Sequence, residues 1–144
     1  MAWKMIVAAT DGSERSIEAA RFAAGLAREC ESKLHVVTVV RPPEGWWGIE
    51  GAPPPPRAMS EAVVDARQSI LEATMSQIDQ TGLDITTALE IGEPSGTIVK
   101  YCEDNEADLL VIGRRGAGII ERFVMGSVAD RLAHYAPCPI LIIP

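Results

Sequence analysis

Lys4-Met5-Ile6-Val7-Ala8-Ala9-Thr10-Asp11-Gly12-Ser13 is the stretch that decides the fold. Lys4 to Thr10 is a compact apolar run with no polar alternation, as expected of a strand covered on both faces. Asp11-Gly12 ends it. Ser13 is a good helix cap, and Ile17, Ala20, Ala24 and Ala27 then recur on one helical stripe. Glu14, Glu18, Arg21 and Arg28 mark the opposite, wet face. A second β-rich run, Leu34 to Val40, follows. Strand, helix and strand in that order form a βαβ unit, which predicts a parallel sheet.

The pattern continues outward. Arg41 to Arg57 interrupts it with Pro42-Pro43, Trp46-Trp47 and four prolines at 53–56, a loop of partly polyproline character. A long helix follows from about Ser60, with Met59, Val63, Ala66, Ile70, Ala73 and Ile78 at helical spacing, and Gly82 stops it. Ile85, Thr87, Leu89 and Ile91 alternate as a third strand. Gly92-Glu93-Pro94-Ser95 turns into a third helix with proline near its first position. Ala107 to Ile112 reads as a central strand, Gly126 to Ala136 as a fourth helix and Ile140 to Ile143 as a fifth strand. The expected architecture is α/β: a single open doubly wound sandwich of five mainly parallel strands and four helices, one domain over residues 1–144. Such sheets bind ligands beyond the carboxyl ends of their strands. Asp11, the segment Val39 to Arg41, and Gly113 all fall at that edge.

Composition narrows the function classes. The 144 residues are 47% hydrophobic and 23% charged, which is globular rather than disordered. No apolar run is long enough to span a bilayer, and the first residues lack the pattern of a signal peptide. Cys30, Cys102 and Cys138 are odd in number and form no C-x-x-C, which fits reduced thiols. These features together predict a cytoplasmic protein. A net charge of −7 argues against nucleic acid and anionic membranes as partners. Yet between Gly113 and Tyr135, Arg114, Arg115, Arg122 and Arg131 stand against only Glu121 and Asp130. That basic island suits a small polyanion, or is a solvated face.

The island begins with Gly113-Arg114-Arg115-Gly116, and nine residues later Gly126-Ser127 opens a helix. Glycine admits close approach of a ligand to the backbone, and a helix start presents unpaired N–H groups, so the two together can cradle phosphate. The bland reading of Gly113 and Gly116 is a tight turn without ligand. That of Asp11 is helix capping alongside Ser13, and that of Trp46-Trp47 is loop packing. His35 and His134 have no second ligand at metal-binding spacing and read as structural.

Taken in this order on a βα frame, these residues resemble the universal stress protein family in its ATP-binding branch. The resemblance rests on Asp11-Gly12-Ser13, the strand His35 to Val40, the Gly92-Glu93-Pro94 turn and Ala136-Pro137-Cys138-Pro139. Above all it rests on the signature G-x2-G-x9-G-[S/T], complete in Gly113, Gly116, Gly126 and Ser127. It implies an adenine nucleotide alpha hydrolase-like fold and binding of an adenine nucleotide: ATP, or AMP or cyclic AMP. Asp11 would then hydrogen-bond the ribose, Ala9 and Thr10 would line the base, and Val39 would contact adenine. Gly113, Arg115 and Gly116 would wrap the phosphates, with one of Arg114 and Arg115 as the charged contact. Gly126, Ser127 and Val128 would close from the helix start, the Ser127 hydroxyl holding a phosphate or Mg²⁺. The family's habit implies a homodimer through the C-terminal strand. The Arg114-Arg115 pair is more basic than the serine-containing version common in the family, and the Arg41 to Arg57 loop is idiosyncratic.

The sequence carries no G-x-x-x-x-G-K-[ST] loop, kinase signature or G-x-S-x-G elbow, and no evident acid/base pair. No catalytic residue or metal ligand is therefore assigned. The leading expectation is a stress-response regulatory protein that holds an adenine nucleotide and changes conformation or partner. A slow Mg²⁺-dependent ATPase is the second reading. A nucleotide-independent module with a protein partner at the Trp46-Trp47 loop is the third, and a receiver-type domain ranks last because Asp11 is the one acid after the first strand.

Overall fold

A computed structural model describes residues 3–41, 61–114 and 127–144. Their order is β1 (Met5–Ala9), α1 (Glu14–Cys30), β2 (Lys33–Val40), α2 (Glu61–Ser76), β3 (Asp84–Ile91), α3 (Pro94–Asp104), β4 (Leu109–Gly113), α4 (Ser127–Tyr135) and β5 (Ile140–Ile143). The five strands form one sheet in the order β3-β2-β1-β4-β5. Every pairing is parallel, so the expectation of a mainly parallel sheet sharpens to a wholly parallel one. The Trp46-Trp47 and Pro53–Pro56 loop lies outside the described residues, as do Arg115, Gly116 and Gly126.

Side-chain alternation assigns the helices to faces. Ile6 and Ala8 of β1 point to a layer with the alanines of α1 and with Leu71 of α2. Val7 points the other way, to Ile98 and Cys102 of α3 and Leu132 of α4. The α1 interface is built from Ala19, Ala20, Ala23, Ala24 and Ala27, all buried, and side chains this small let the helix lie close on the sheet. Opposite it, burial of Leu110 and Leu132 contributes about 1.5–3 kcal/mol each. β1 runs between β2 and β4. The chain winds outward through β2 and β3, then returns to the other side of β1, and that reversal opens a crevice at the strand ends.

Helix α2 corrects one sequence expectation. Ile78 is buried as expected, but Ala66 and Ala73 are exposed, whereas Leu71 and Thr74 are buried. Within the helix the sheet-facing stripe therefore runs through Arg67, Leu71 and Thr74, about a third of a turn from the Val63, Ala66, Ile70 and Ala73 stripe that apolar spacing selects. Thr74 is buried because its hydroxyl has a tertiary partner, Thr10, at 3.1 Å. The helix also ends at Ser76, before Gly82, whose φ of 73° falls in the turn into β3. Likewise the sheet takes in Gly113, one residue beyond the expected end of β4.

Candidate functional site

The crevice is a cavity of about 940 Å³ at the carboxyl ends of β1, β2 and β4. Its floor is apolar: Val37 and Val39 of β2, Ile98 of α3, Ile112 of β4 and Leu132 of α4. Polar groups enter at the rim from the loop after β1 and from the strand ends. Of the residues expected from sequence, Ala9, Thr10, Asp11, Val39, Gly113, Arg114 and Val128 all line this one space. Ser127 opens α4 beside them. Arg115, Gly116 and Gly126 fall outside the described residues.

The β1–α1 loop is fixed by hydroxyls. Thr10 extends the β1 ladder by donating its N–H to the Val37 carbonyl at 2.9 Å. Its buried Oγ1 lies 3.0 Å from Ser16 Oγ and 3.1 Å from Thr74 Oγ1. Gly12, with φ of 84°, makes the left-handed corner that a side chain would resist. Ser13 caps α1 by accepting from Ser16 N–H at 3.3 Å. Asp11 Oδ1 in turn accepts from Ser13 N–H at 2.9 Å. The capping and ligand readings of Asp11 are thus compatible: one oxygen orients the cap, and the exposed carboxylate still faces the cavity rim. Burial raises the Asp11 carboxyl, but hydrogen bonds from Ser13 and Ser16 outweigh it and hold the group below its ordinary value of 3.8. At neutral pH it is an acceptor alone, suited to a pair of hydroxyl donors.

Gly113 has a reason to be glycine that its sequence context did not reveal. It is a strand residue, paired with Ile143, and the next N–H, of Arg114, donates to the Ile143 carbonyl at 2.8 Å. A Cβ at Gly113 would stand 2.6 Å from the carbonyl carbon and oxygen of Arg15 and 2.9 Å from Ser16 N. The first turn of α1 therefore sits directly on β4 at this point. A tight turn at Gly113 is not what the structure shows; the requirement is space for α1, and it brings the Ser13–Ser16 cap beside the strand end.

Electrostatically the cavity is unlike the rest of the chain. Arg15, Arg41, Arg67 and Arg114 line it, against Asp11 and Glu14. Arg114 Nε is buried without a hydrogen-bond partner among the described residues. A buried guanidinium N–H of this kind can donate to an acceptor brought into the cavity, an anion included. Arg131, counted in the basic island from sequence, turns instead to Glu93 at 3.4 Å, and Arg41 approaches the same carboxylate at 4.0 Å. Arg15, Ser16 and Arg67 were not anticipated. The available signal for Arg67 was a charged residue inside the stripe that Leu71 and Thr74 continue.

Glu93 ties the rim together. It caps α3, accepting from Gly96 N–H at 2.8 Å and from the Ser95 hydroxyl at 2.9 Å. Burial raises its carboxyl, but the Gly96 and Ser95 hydrogen bonds and Arg131 prevail and hold it below 4.5. A carboxyl lowered on folding stabilises the fold fully above its unfolded value and loses that contribution as pH falls through the folded one. Stability is therefore expected to drop below about pH 4.5, and Glu93→Gln should flatten that slope in urea titrations repeated from pH 6 to pH 3. An unchanged slope would remove Glu93 from the account.

His35 and Cys102 lie outside the cavity lining. His35 Nδ1 lies 2.6 Å from the Tyr101 hydroxyl across β2 and α3, and burial lowers its pKa. Burial raises the Cys102 thiol to about 12. Among the described residues no helix is long and apolar enough to cross a membrane, and no three His, Cys, Asp or Glu side chains gather as a metal site.

Known proteins with the same architecture place this chain. The sequence model of the Universal stress protein family matches residues 2–144. A universal stress protein of Methanocaldococcus jannaschii is 33% identical over 148 residues, spanning 98% of this chain and 82% of its own length. The structure of the universal stress protein from Archaeoglobus fulgidus in complex with dAMP superposes with a TM-score of 0.74 at 27% identity, covering both chains fully. A universal stress protein solved in complex with cAMP has the same fold, with a TM-score of 0.77 at 24% identity over 100% of this chain and 99% of its own. Fold and sequence agree: this chain belongs to the universal stress protein family.

Proposed function

We propose that this protein binds an adenine nucleotide in the crevice at the ends of β1, β2 and β4, and acts as a stress-response regulator through the bound state. The observation that carries the reading is the cavity itself. One space joins an ionised carboxylate, Asp11, to an apolar floor that includes Val39, and to Arg114, whose buried Nε has no partner among the described residues. Ribose hydroxyls, a purine ring and phosphate need those three environments in one place. The dAMP complex of the related Archaeoglobus protein supports the choice of adenine. Ala9, Thr10 and Val39 would line the base, and Asp11 would accept from the ribose. Gly113, Arg114, Arg115 and Gly116 would hold the phosphates, with Gly126, Ser127 and Val128 closing from α4. ATP, AMP and cyclic AMP all fit this donor set, and Mg²⁺ bound through the Ser127 hydroxyl would neutralise phosphate charge. A ligand shifts such a protein only by its differential affinity for two states.

The test is mass spectrometry of the small molecules released when the purified protein is denatured, with calorimetric titration of the emptied protein. An adenine nucleotide near one per chain, rebinding at micromolar concentration, is the expected result. A protein that releases none and rebinds none sinks the reading. β5 is an edge strand whose four apolar residues are all half-buried. We propose it as the homodimer contact, since such edges call for cover; light scattering at twice the chain mass checks this.

A further inference from the structure

Thr74 is a hydroxyl buried where a methyl group would serve. It lies on the sheet-facing stripe of α2, fully covered, and valine has the same shape without the cost of taking a polar group out of water. It does not line the cavity. Its hydroxyl has one partner among the described residues, Thr10 Oγ1 at 3.1 Å. From Thr10 the hydroxyls run on into the loop after β1. Thr10 Oγ1 lies 3.0 Å from Ser16 Oγ, which donates to the Ser13 carbonyl at 2.9 Å and accepts from Asp11 N–H at 3.3 Å. Thr10, Asp11, Ser13 and Ser16 all line the cavity. The chain therefore leads from α2, behind the cavity wall, to the rim where Asp11 stands.

Counting protons gives that chain a direction, because a hydroxyl donates once and accepts twice. The Ser16 proton goes to the Ser13 carbonyl, so Ser16 accepts from Thr10. Thr10 accepts from Gly12 N–H at 3.2 Å, which leaves one acceptor place for Thr74. Thr74 thus donates to Thr10, and Thr10 to Ser16. The neighbouring strand does not supply that bond. Ala9 pairs with Val37, so Thr38 stands beside Thr10, yet its Oγ1 is buried with no partner among the described residues. One turn earlier on α2, Ile70 packs over Gly12: a Cβ there would meet Ile70 carbons at 3.1 and 3.2 Å. Helix α2 holds the loop at two points, by a hydrogen bond at Thr10 and an apolar contact at Gly12.

We infer, given the nucleotide reading above, that Thr74 is a positioning residue for the loop that carries Asp11, and that through it occupancy of the crevice is passed to α2. Coupling of this kind is reciprocal: if α2 sets the loop for its ligand, the ligand holds α2 in return. A double-mutant cycle tests it, by calorimetric titration of the emptied protein with adenosine and with ATP in Thr74→Val, Asp11→Asn and the double variant. Thr74→Val should weaken both ligands on the order of five-fold in wild type, but less than about two-fold where Asp11 is already asparagine. Thr74→Ser, which keeps the hydroxyl, should recover most of the loss. Amide hydrogen exchange gives a second readout. Saturating ATP should slow exchange from Leu71 to Ser76 in wild type and in Thr74→Ser, but not in Thr74→Val. Ile70→Ala removes the other contact with the loop, should act in the same direction, and takes the place of Thr74→Val if that variant does not fold. Equal losses in both backgrounds, no loss in either, or α2 exchange that responds to ATP alike with and without the Thr74 hydroxyl overturns the inference, and wild-type binding then still carries the nucleotide reading. If wild type binds neither ligand, both fall.

Discussion

Gly113→Ala is expected to lower folding stability by about 3 kcal/mol, seen as an earlier urea midpoint with little change in slope. The added methyl carbon would lie 2.6 Å from the Arg15 carbonyl and 2.9 Å from Ser16 N, and both are backbone atoms of a capped helix. A flexible side-chain tip could swing away from such a contact. Backbone cannot, so α1 must lift from β4 along its first turn. That movement would disturb the alanine interface packed against the sheet and displace Ser13 and Ser16. Any ligand held by the β1–α1 loop would weaken with it. Gly25→Ala is the control: its Cβ would meet nothing within 4 Å in the middle of α1. There the substitution should stabilise by about 0.5–1 kcal/mol, because alanine loses less backbone entropy on entering a helix. If both variants shift in the same direction, the close approach of α1 to β4 is not what holds Gly113 as glycine.

That result would also separate two meanings of a glycine motif. The spacing from Gly113 to Gly126 marks a phosphate loop by resemblance, but at Gly113 the structure assigns a packing requirement that exists with or without ligand. Nothing within the motif could have shown this, since the atoms that forbid a side chain belong to Arg15 and Ser16, about a hundred residues earlier.

The same division runs through the rest of the molecule. Element order was legible because apolar runs, caps and turns are local: Ser13 does cap α1, and Pro94 does open α3. The central burial of β1 was legible because Ile6, Val7 and Ala8 leave no polar face. The face of α2 was not, since Thr74 owes its burial to Thr10, 64 residues away. Charge was legible only in part, for a similar reason. Arg131 sits inside the basic stretch of sequence yet answers Glu93, while Arg15 and Arg67 reach the cavity from elements whose local composition is unremarkable. A cavity at a sheet edge is assembled from every crossover at once, and its potential is a property of that assembly.

Asp11→Asn is expected to weaken adenosine binding about 10-fold while leaving folding stability within about 0.5 kcal/mol of wild type. Asparagine keeps a carbonyl oxygen that can accept from Ser13 N–H, so the turn that seats the cap survives. What it loses is the negative charge and the second acceptor. In its place is an NH₂ donor, which cannot receive the protons of two ribose hydroxyls. The effect on ATP should be smaller than on adenosine, because removing a carboxylate near Arg15 and Arg114 also relieves repulsion toward phosphate. Asp11→Ala removes the turn contact as well, so it should lower both binding and the melting temperature. The informative quantity is thus the ratio of adenosine to ATP affinity, which should fall in Asp11→Asn. A fall would locate ribose at the β1–α1 loop. An unchanged ratio would mean that Asp11 does not touch the part of the ligand assigned to it.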